Sequence, residues 1–213
     1  MEFDILEAIL WDGWYQRLEK HLQRMADSAA YFGYRYDSAD IYRVLAQLSA
    51  PFVPSQQYKV RLKLKRTGHC SGEALQLRRQ EPAAELGVVL GSERTNSRNR
   101  MYYHKTTDRA FYDRASRFAQ EYGYADVIFL NEKGEVTEGA TNNLFIERAG
   151  SLLTPPLCCG LLNGIYRQSL LEESHRAREE KLFLDDLLKA EKIYICNAIR
   201  GLRPVKLRHV SSL

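Results

Sequence analysis

The sequence predicts a mixed α/β protein built as two lobes. Three observations carry that expectation. Leu18, Leu22, Met25, Ala29 and Phe32 recur at steps of four and three, the period of one helix face. Residues 58–65 alternate apolar and cationic side chains, the period of an antiparallel strand with one wet side. In the second half, short apolar runs such as Asp126-Val127-Ile128-Phe129-Leu130 are spaced by helical patterns.

Taken in order, residues 3–11 read as an opening strand with weak alternation, and Asp12-Gly13 as a hairpin-type turn. The stripe from Leu18 to Phe32 predicts an amphipathic helix that Gly33 stops. Asp37-Ser38-Ala39-Asp40 has N-cap chemistry, and Ile41, Val44, Leu45 and Leu48 form the buried stripe of a second helix. After the strand at 58–65, residues 73–77 repeat its pattern as a hairpin partner. Residues 86–90 form a short apolar strand, and 92–100 are polar and aperiodic. Phe111, Ala115, Phe118 and Tyr122 mark another helical stripe. Strands are expected at 126–130, 135–137, 143–147 and 192–197, with a turn at 131–134 and helices at 163–173 and 184–189. The alternating charges of 176–181 read as a solvated helix face. These elements predict a small N-terminal lobe (1–91), a linking loop (92–100) and a larger C-terminal lobe (101–213). Mixed, largely antiparallel sheets are expected, with a ligand cleft between the lobes.

A chain of 213 residues is long enough to bury a core without staples. Its 45% hydrophobic and 27% charged residues match an ordinary soluble globular protein. A net charge of +4 mildly favours anionic ligands, and it is too small and dispersed to argue for nucleic acid. Cys70, Cys158, Cys159 and Cys196 show no CxxC spacing, which argues against a zinc site or any other metal. Reduced thiols in a cytoplasmic protein are expected. The opening Met1-Glu2-Phe3-Asp4 lacks a basic region followed by an apolar run, so no signal peptide is expected. No apolar stretch approaches a membrane span.

Four groups suggest chemistry. Lys105 lies in Tyr103-His104-Lys105-Thr106-Thr107-Asp108-Arg109. Desolvation or a neighbouring cation, such as His104 or Arg109, would make its amine nucleophilic. Glu138 precedes the small residues Gly139 and Ala140, where backbone can approach a flat ring. Gly164-Ile165 opens a helix whose free amides suit a phosphate, and Asn197-Ala198 closes a strand with a second amide pair. Arg24 lies off the apolar stripe of its helix, and its fork suits a phosphate. Taken singly, each has a plain alternative: a solvated lysine, a strand-end glutamate, a turn glycine, a surface arginine. Together, an amine, a carboxylate and an anion-ready helix start are what pyridoxal phosphate (PLP) requires.

The order of these motifs resembles the PLP-dependent superfamily of branched-chain aminotransferases, D-amino-acid aminotransferases and aminodeoxychorismate lyases. The resemblance runs from Leu6 to Val205. It is carried by Glu138 with Asn143-Leu144-Phe145, by Thr154-Pro155-Pro156-Leu157, and by Gly164-Ile165-x-Arg167. Leu6-Glu7, His21-Leu22-x-Arg24, residues 28–33, His104-Lys105-Thr106-Thr107-x-Arg109 and Asn197-x-x-Arg200-Gly201 point to the lyases, in the form often fused behind aminodeoxychorismate synthase. The resemblance implies a fold-type IV enzyme with a small antiparallel lobe and a barrel-like mixed sheet. It implies that Lys105 carries PLP, Glu138 binds the pyridine nitrogen and Arg24 binds the phosphate. Gly164, Ile165, Asn197 and Ala198 supply phosphate-binding amides, and Arg109 falls near the ring hydroxyl. Arg200 and Arg203 are candidates for substrate carboxylates. The expected reaction is cleavage of 4-amino-4-deoxychorismate to 4-aminobenzoate and pyruvate; an aminotransferase and a non-catalytic ligand-binding protein are the alternatives. A homodimer, with a synthase as a possible partner, is implied. Two departures stand out: Ala8 occupies a position where the fused lyases carry threonine, and the chain begins at an inner strand of the first lobe, as a short form or a fragment would.

Overall fold

The computed structural model describes residues 2–78 and 85–208. It divides into two compact units, Met1–Glu81 with His104–Asp108, and Pro82–Tyr103 with Arg109–Leu213.

In the first unit, β1 (Ile5–Asp12), β2 (Gln57–Leu64) and β3 (Cys70–Gln76) form an antiparallel sheet in that order, with helices α1 (Leu18–Phe32) and α2 (Ser38–Ser49). β1 turns Ile5, Glu7, Ile9 and Trp11 inward. The other face carries Leu6, Ala8 and Leu10, also apolar, which explains why its alternation is faint in the sequence. The inward residues pack with Leu22, Met25, Ala29, Ile41, Leu45, Val60, Leu62 and Leu64. α1 ends in a Schellman motif: the Tyr34 amide donates to Ala29 O (2.8 Å) and Gly33 to Ala30 O (3.4 Å). Asp37 caps α2, accepting from the Ala39 amide at 2.9 Å. Asp12-Gly13 makes a short reversal: Trp11 bridges Tyr15 antiparallel, Asp12 N–H donates to Trp14 O (2.9 Å) and Gln16 N–H to Leu10 O (2.8 Å). The ladder partner of β1 is β2.

The free edge of β1 is occupied by the 104–108 segment. Leu6 N–H donates to Lys105 O (2.8 Å), Thr107 N–H donates to Asp4 O (2.9 Å), and Ile5 bridges Thr106. A lysine a hundred positions along the chain is thus fixed by the first strand.

The second unit holds an eight-stranded mixed sheet of β4 (Gly87–Leu90), β5 (Asp126–Leu130), β6 (Val136–Gly139), β7 (Asn143–Arg148), β8 (Ser151–Thr154), β9 (Ala177–Glu179), β10 (Lys192–Asn197) and β11 (Gly201–Leu207). Its order is β6-β5-β4-β11-β10-β7-β8-β9, with helices α3 (Ala110–Glu121), α4 (Ile165–Glu173) and α5 (Leu184–Lys189). β4 pairs in parallel with β5 and β11, so it belongs here and not to a lobe ending at 91. Its run Gly87-Val88-Val89 is buried throughout, which requires a sheet covered on both faces.

Three local expectations need refinement, and β11 was not anticipated. The charged segment 176–181 is not helical; β9 lies in it, parallel to β8. Its arginines are an edge-strand feature, Arg176 bonding Glu147 Oε1 and Arg178 bonding Ser151 Oγ. The stripe of α3 is wider than expected: Phe111, Ala115 and Phe118 pack against the core, Tyr112 and Ala119 are buried beside them, and Tyr122 is 60% exposed. β3 begins at Cys70, earlier than the apolar alternation shows. β11 was hidden by Pro204, which argues against a central strand; β4 pairs with β11 only at Lys206 and Leu207, so the proline lies beyond that ladder.

Ile9 is fully buried in the first core, whereas Leu75 is 66% exposed. Ile9→Ala is expected to cost about 2–5 kcal/mol of stability. Leu75→Ala is expected to stay within about 0.5 kcal/mol of the unsubstituted protein. Denaturant unfolding followed by circular dichroism checks both.

Candidate active site

In the first unit the candidate residues gather around a buried acid. Glu7 sits on the apolar face of β1 at 1% exposure. Arg24, on α1, donates to it through two nitrogens, Nε to Oε1 at 2.8 Å and Nη2 to Oε2 at 2.7 Å. His21, one turn earlier on the same helix, places Nδ1 2.6 Å from Oε2. Burial alone would raise the Glu7 pKa, but the charges of Arg24 and His21 and their hydrogen bonds hold it down, at about 2. Burial lowers the His21 pKa, against the pull of Glu7 and with small contributions from Arg24 and Lys105. His21 donates from Nδ1–H to the Glu7 carboxylate.

Lys105 is half-buried, and its carbonyl is tied to β1. His104 beside it does not supply the cation considered above. Its ring packs against Tyr31 and Phe32, its Nδ1 lies 3.0 Å from Ser28 Oγ, and burial lowers its pKa. Arg109 is likewise engaged elsewhere. It donates to Asp113 Oδ1 and to Ala140 O, both at 2.8 Å, and lies over the Tyr112 ring.

In the second unit the centre is Glu138, at the end of β6 and 6% exposed. Its Oε1 accepts from Tyr112 OH (2.9 Å) and the Leu162 amide (3.2 Å), and its Oε2 accepts from Asn143 Nδ2 (3.2 Å). The Asn143 amide also donates to Leu162 O at 2.9 Å. Burial, then the charge of Glu138, pushes the Tyr112 hydroxyl well above its usual pKa of 10, so it remains a donor. Gly164 is the residue before α4, which has no side-chain cap. A Cβ at Gly164 would lie 1.9 Å from Asn143 Oδ1, so glycine is required by the same asparagine that holds Glu138. Ile165, the first residue of α4, is buried. Arg167, 1% exposed, anchors that helix to Pro155 O (2.8 Å) and to Glu179.

The turn after Glu138 is fastened from below. Asp126 accepts from the amides of Val127 and Ala140 (2.9 Å each) and Thr141 (3.1 Å), from Thr141 Oγ1 (3.3 Å) and from Asn142 Nδ2 (2.5 Å). Burial raises its pKa against the pull of these donors. Asn142 Oδ1 in turn accepts from Asn197 Nδ2 at 2.7 Å. Asn197 Oδ1 accepts the amides of Ile199 (3.0 Å) and Arg200 (2.9 Å), fixing the turn that contains Ala198. Glu138, Gly164 and Asn197 are thereby joined through Asn143, Asn142 and Asp126.

The family model for amino-transferase class IV matches residues 4–207. The chain belongs to the class IV aminotransferase family. It is 30% identical over 203 residues to a Schizosaccharomyces pombe protein provisionally named as an aminodeoxychorismate lyase, covering 93% of this chain and 87% of the relative. A crystal structure from Mesorhizobium loti, described provisionally as an amino-acid aminotransferase, matches with a TM-score of 0.89 at 32% identity, over 97% of this chain and 100% of that one. A Legionella pneumophila structure, described provisionally as a 4-amino-4-deoxychorismate lyase, shares the fold at 20% identity (TM-score 0.82, 97% and 83% covered).

Class IV aminotransferases are PLP-dependent, and the residues present fit that cofactor. The uncapped α4 start closed by an obligatory glycine suits a phosphate, and the triply held Glu138 carboxylate suits a ring nitrogen. Three supporting residues escaped the sequence reading. Tyr112 and Asp126 gave no signal beyond an ordinary helix and strand position. Glu7 did give one: an acid on the same strand face as Ile5, Ile9 and Trp11. Among the described residues there is no metal-binding cluster of His, Cys, Asp and Glu, and no helix long and apolar enough to cross a membrane.

Gly164→Ala forces Asn143 aside, and overpacking of this kind is expected to cost about 1–3 kcal/mol and to weaken cofactor uptake; thermal unfolding and a PLP titration check it. The Glu7 carboxyl has a pKa of about 2 when folded, against 4.5 ordinarily. The folded state therefore holds fewer protons than the unfolded one in that window, and stability falls as pH drops through it. Glu7→Gln is expected to flatten the slope of stability against pH between about 4.5 and 2 by roughly one proton. Denaturant melts across that pH range check it.

Proposed function

We propose that this protein converts 4-amino-4-deoxychorismate to 4-aminobenzoate and pyruvate, with PLP as its cofactor. The observation that carries the reading is the match to the Schizosaccharomyces pombe relative over 93% of this chain. A second observation supports an anionic substrate. Arg203 has a buried Nε with no hydrogen-bond partner among the described residues, and burial together with the charge of Arg200 lowers its pKa. A substrate carboxylate would satisfy that donor, since an unmet buried N–H is costly.

The bound cofactor supplies an aldehyde for the substrate amine and a ring that withdraws electrons. Lys105 would hold it covalently. Arg24 and the amides of Gly164, Ile165, Asn197 and Ala198 would bind its phosphate. Tyr112, Leu162 and Asn143 hold the Glu138 carboxylate in one orientation, in which it would keep a proton on the ring nitrogen. Arg109 steadies the Ala140 carbonyl two residues on from Glu138. Lys105 Nζ would take the proton from the substrate carbon that bears nitrogen. The enolpyruvyl group leaves, the ring becomes aromatic, and Lys105 Nζ or water returns a proton to the departing fragment. A positioned lysine contributes roughly 10²–10⁴-fold in such steps. On the same resemblance we assign the protein to folate biosynthesis in the cytoplasm, as a homodimer able to act beside an aminodeoxychorismate synthase.

An aminotransferase is the second reading. Its specific support is the 32% identity to the Mesorhizobium loti protein and the presence of Ala8 where the fused lyases carry threonine.

Incubation with aminodeoxychorismate separates the two. The lyase releases pyruvate and 4-aminobenzoate in equal amounts; conversion of the cofactor to its pyridoxamine form by an amino acid, without pyruvate, overturns the lyase in favour of the aminotransferase. Lys105→Ala is expected to lose both the borohydride-trapped cofactor adduct and at least about 10²-fold in turnover.

A further inference from the structure

Glu7 has no direct part in the chemistry proposed above, yet it is among the most deeply buried charges of the first unit. A carboxylate in an apolar core costs several kcal/mol unless it is paired and hydrogen-bonded. Here it is paired twice, by residues three positions apart on one face of α1. The cluster is graded in exposure: Glu7 and His21 are at 1%, while the Arg24 side chain reaches 12%. The arginine is thus the end of the cluster that meets solvent.

We infer that Glu7 is a positioning residue that sets the plane of the Arg24 guanidinium for a phosphate monoester, with His21 bracing the carboxylate from its other side. This rests on the assignment of Arg24 to the cofactor phosphate. A guanidinium is planar, so two bonds from Nε and Nη2 to one carboxylate fix its orientation. An arginine held this way has already lost the rotamer freedom that binding would otherwise remove. His21 is locked in turn. Its Nδ1–H is committed to Glu7, and its Nε2 is buried with no hydrogen-bond partner among the described residues. The ring therefore acts as a rigid wedge behind the carboxylate. The arrangement has an opposing term, because the Glu7 charge also repels an incoming phosphate. Orientation of the guanidinium outweighs that repulsion.

The test compares PLP with pyridoxal, which lacks the phosphate, in titrations of the full-length protein stripped of cofactor. Binding is read by fluorescence and by borohydride trapping on Lys105. Glu7→Gln and Glu7→Asp are expected to weaken PLP by about tenfold, as loss of an orienting outer partner does, and to leave pyridoxal unchanged. In an Arg24→Gln background, Glu7→Gln is expected to add nothing further, since the two residues act as one unit. Tighter PLP binding in Glu7→Gln, equal losses for both ligands, or additive effects in the double variant would overturn the inference. If Glu7→Gln fails to fold, Glu7→Asp decides alone, because it keeps the charge and only withdraws the carboxylate. The underlying assignment fails separately: Arg24→Gln would then bind PLP and pyridoxal with the same ratio as the unsubstituted protein. Inorganic phosphate as a competitor must displace PLP from the unsubstituted protein more effectively than from Glu7→Asp.

Discussion

The turn that presents Glu138 depends on a second carboxylate buried beneath it. Asp126 opens β5 and receives five hydrogen bonds, from Val127, Ala140, Thr141 twice and Asn142. A turn between two buried strands needs partners for its amides. Asp126 accepts the amides of Ala140 and Thr141 and the side chain of Asn142, and so fixes where Glu138 and Asn143 emerge on either side. The close approach also explains Gly139, where a Cβ would lie 2.4 Å from Asp126 Oδ2. The helix start at Gly164 inherits the constraint through Asn143, and Asn197 inherits it through Asn142. Geometry at four candidate positions is therefore set by one acid that touches none of the chemistry.

The first unit uses the same device with a different sign. Glu7 is a buried acid whose partners are charged or polar side chains on a helix, not turn amides. Its pKa is pulled down, while burial pushes that of Asp126 up. The contrast follows from the partners: a full positive charge at Arg24 stabilises the carboxylate more than neutral dipoles do. Each unit thus spends one buried carboxylate on orientation, one for an arginine and one for a turn.

Strong local periodicity made α1, α2 and β2 legible in the sequence, because their stripes are long, and Gly33 and Asp37 mark helix ends in familiar ways. Weak or mixed signals hid the rest. The α3 stripe is wider than its periodicity shows, because Phe111 and Tyr112 are neighbouring large aromatics that both contact Phe129. The place of Lys105 could not be read locally at all. It follows from an edge pairing with β1, across a sequence separation that no periodicity encodes. Motif order singled out Glu138 and Gly164 as candidates, yet it did not show that one asparagine, Asn143, links them.

The cofactor-facing residues are common to a lyase and an aminotransferase, so reaction choice must come from groups near the leaving fragment. Ala8 lies on the β1 face opposite Glu7 and is paired across the ladder with Arg61. Its methyl group has no proton to give. In a lyase of this sequence, return of a proton to the departing enolpyruvyl group therefore falls to Lys105 or to solvent, and an amine that has just taken a proton from the adjacent carbon is the better placed of the two.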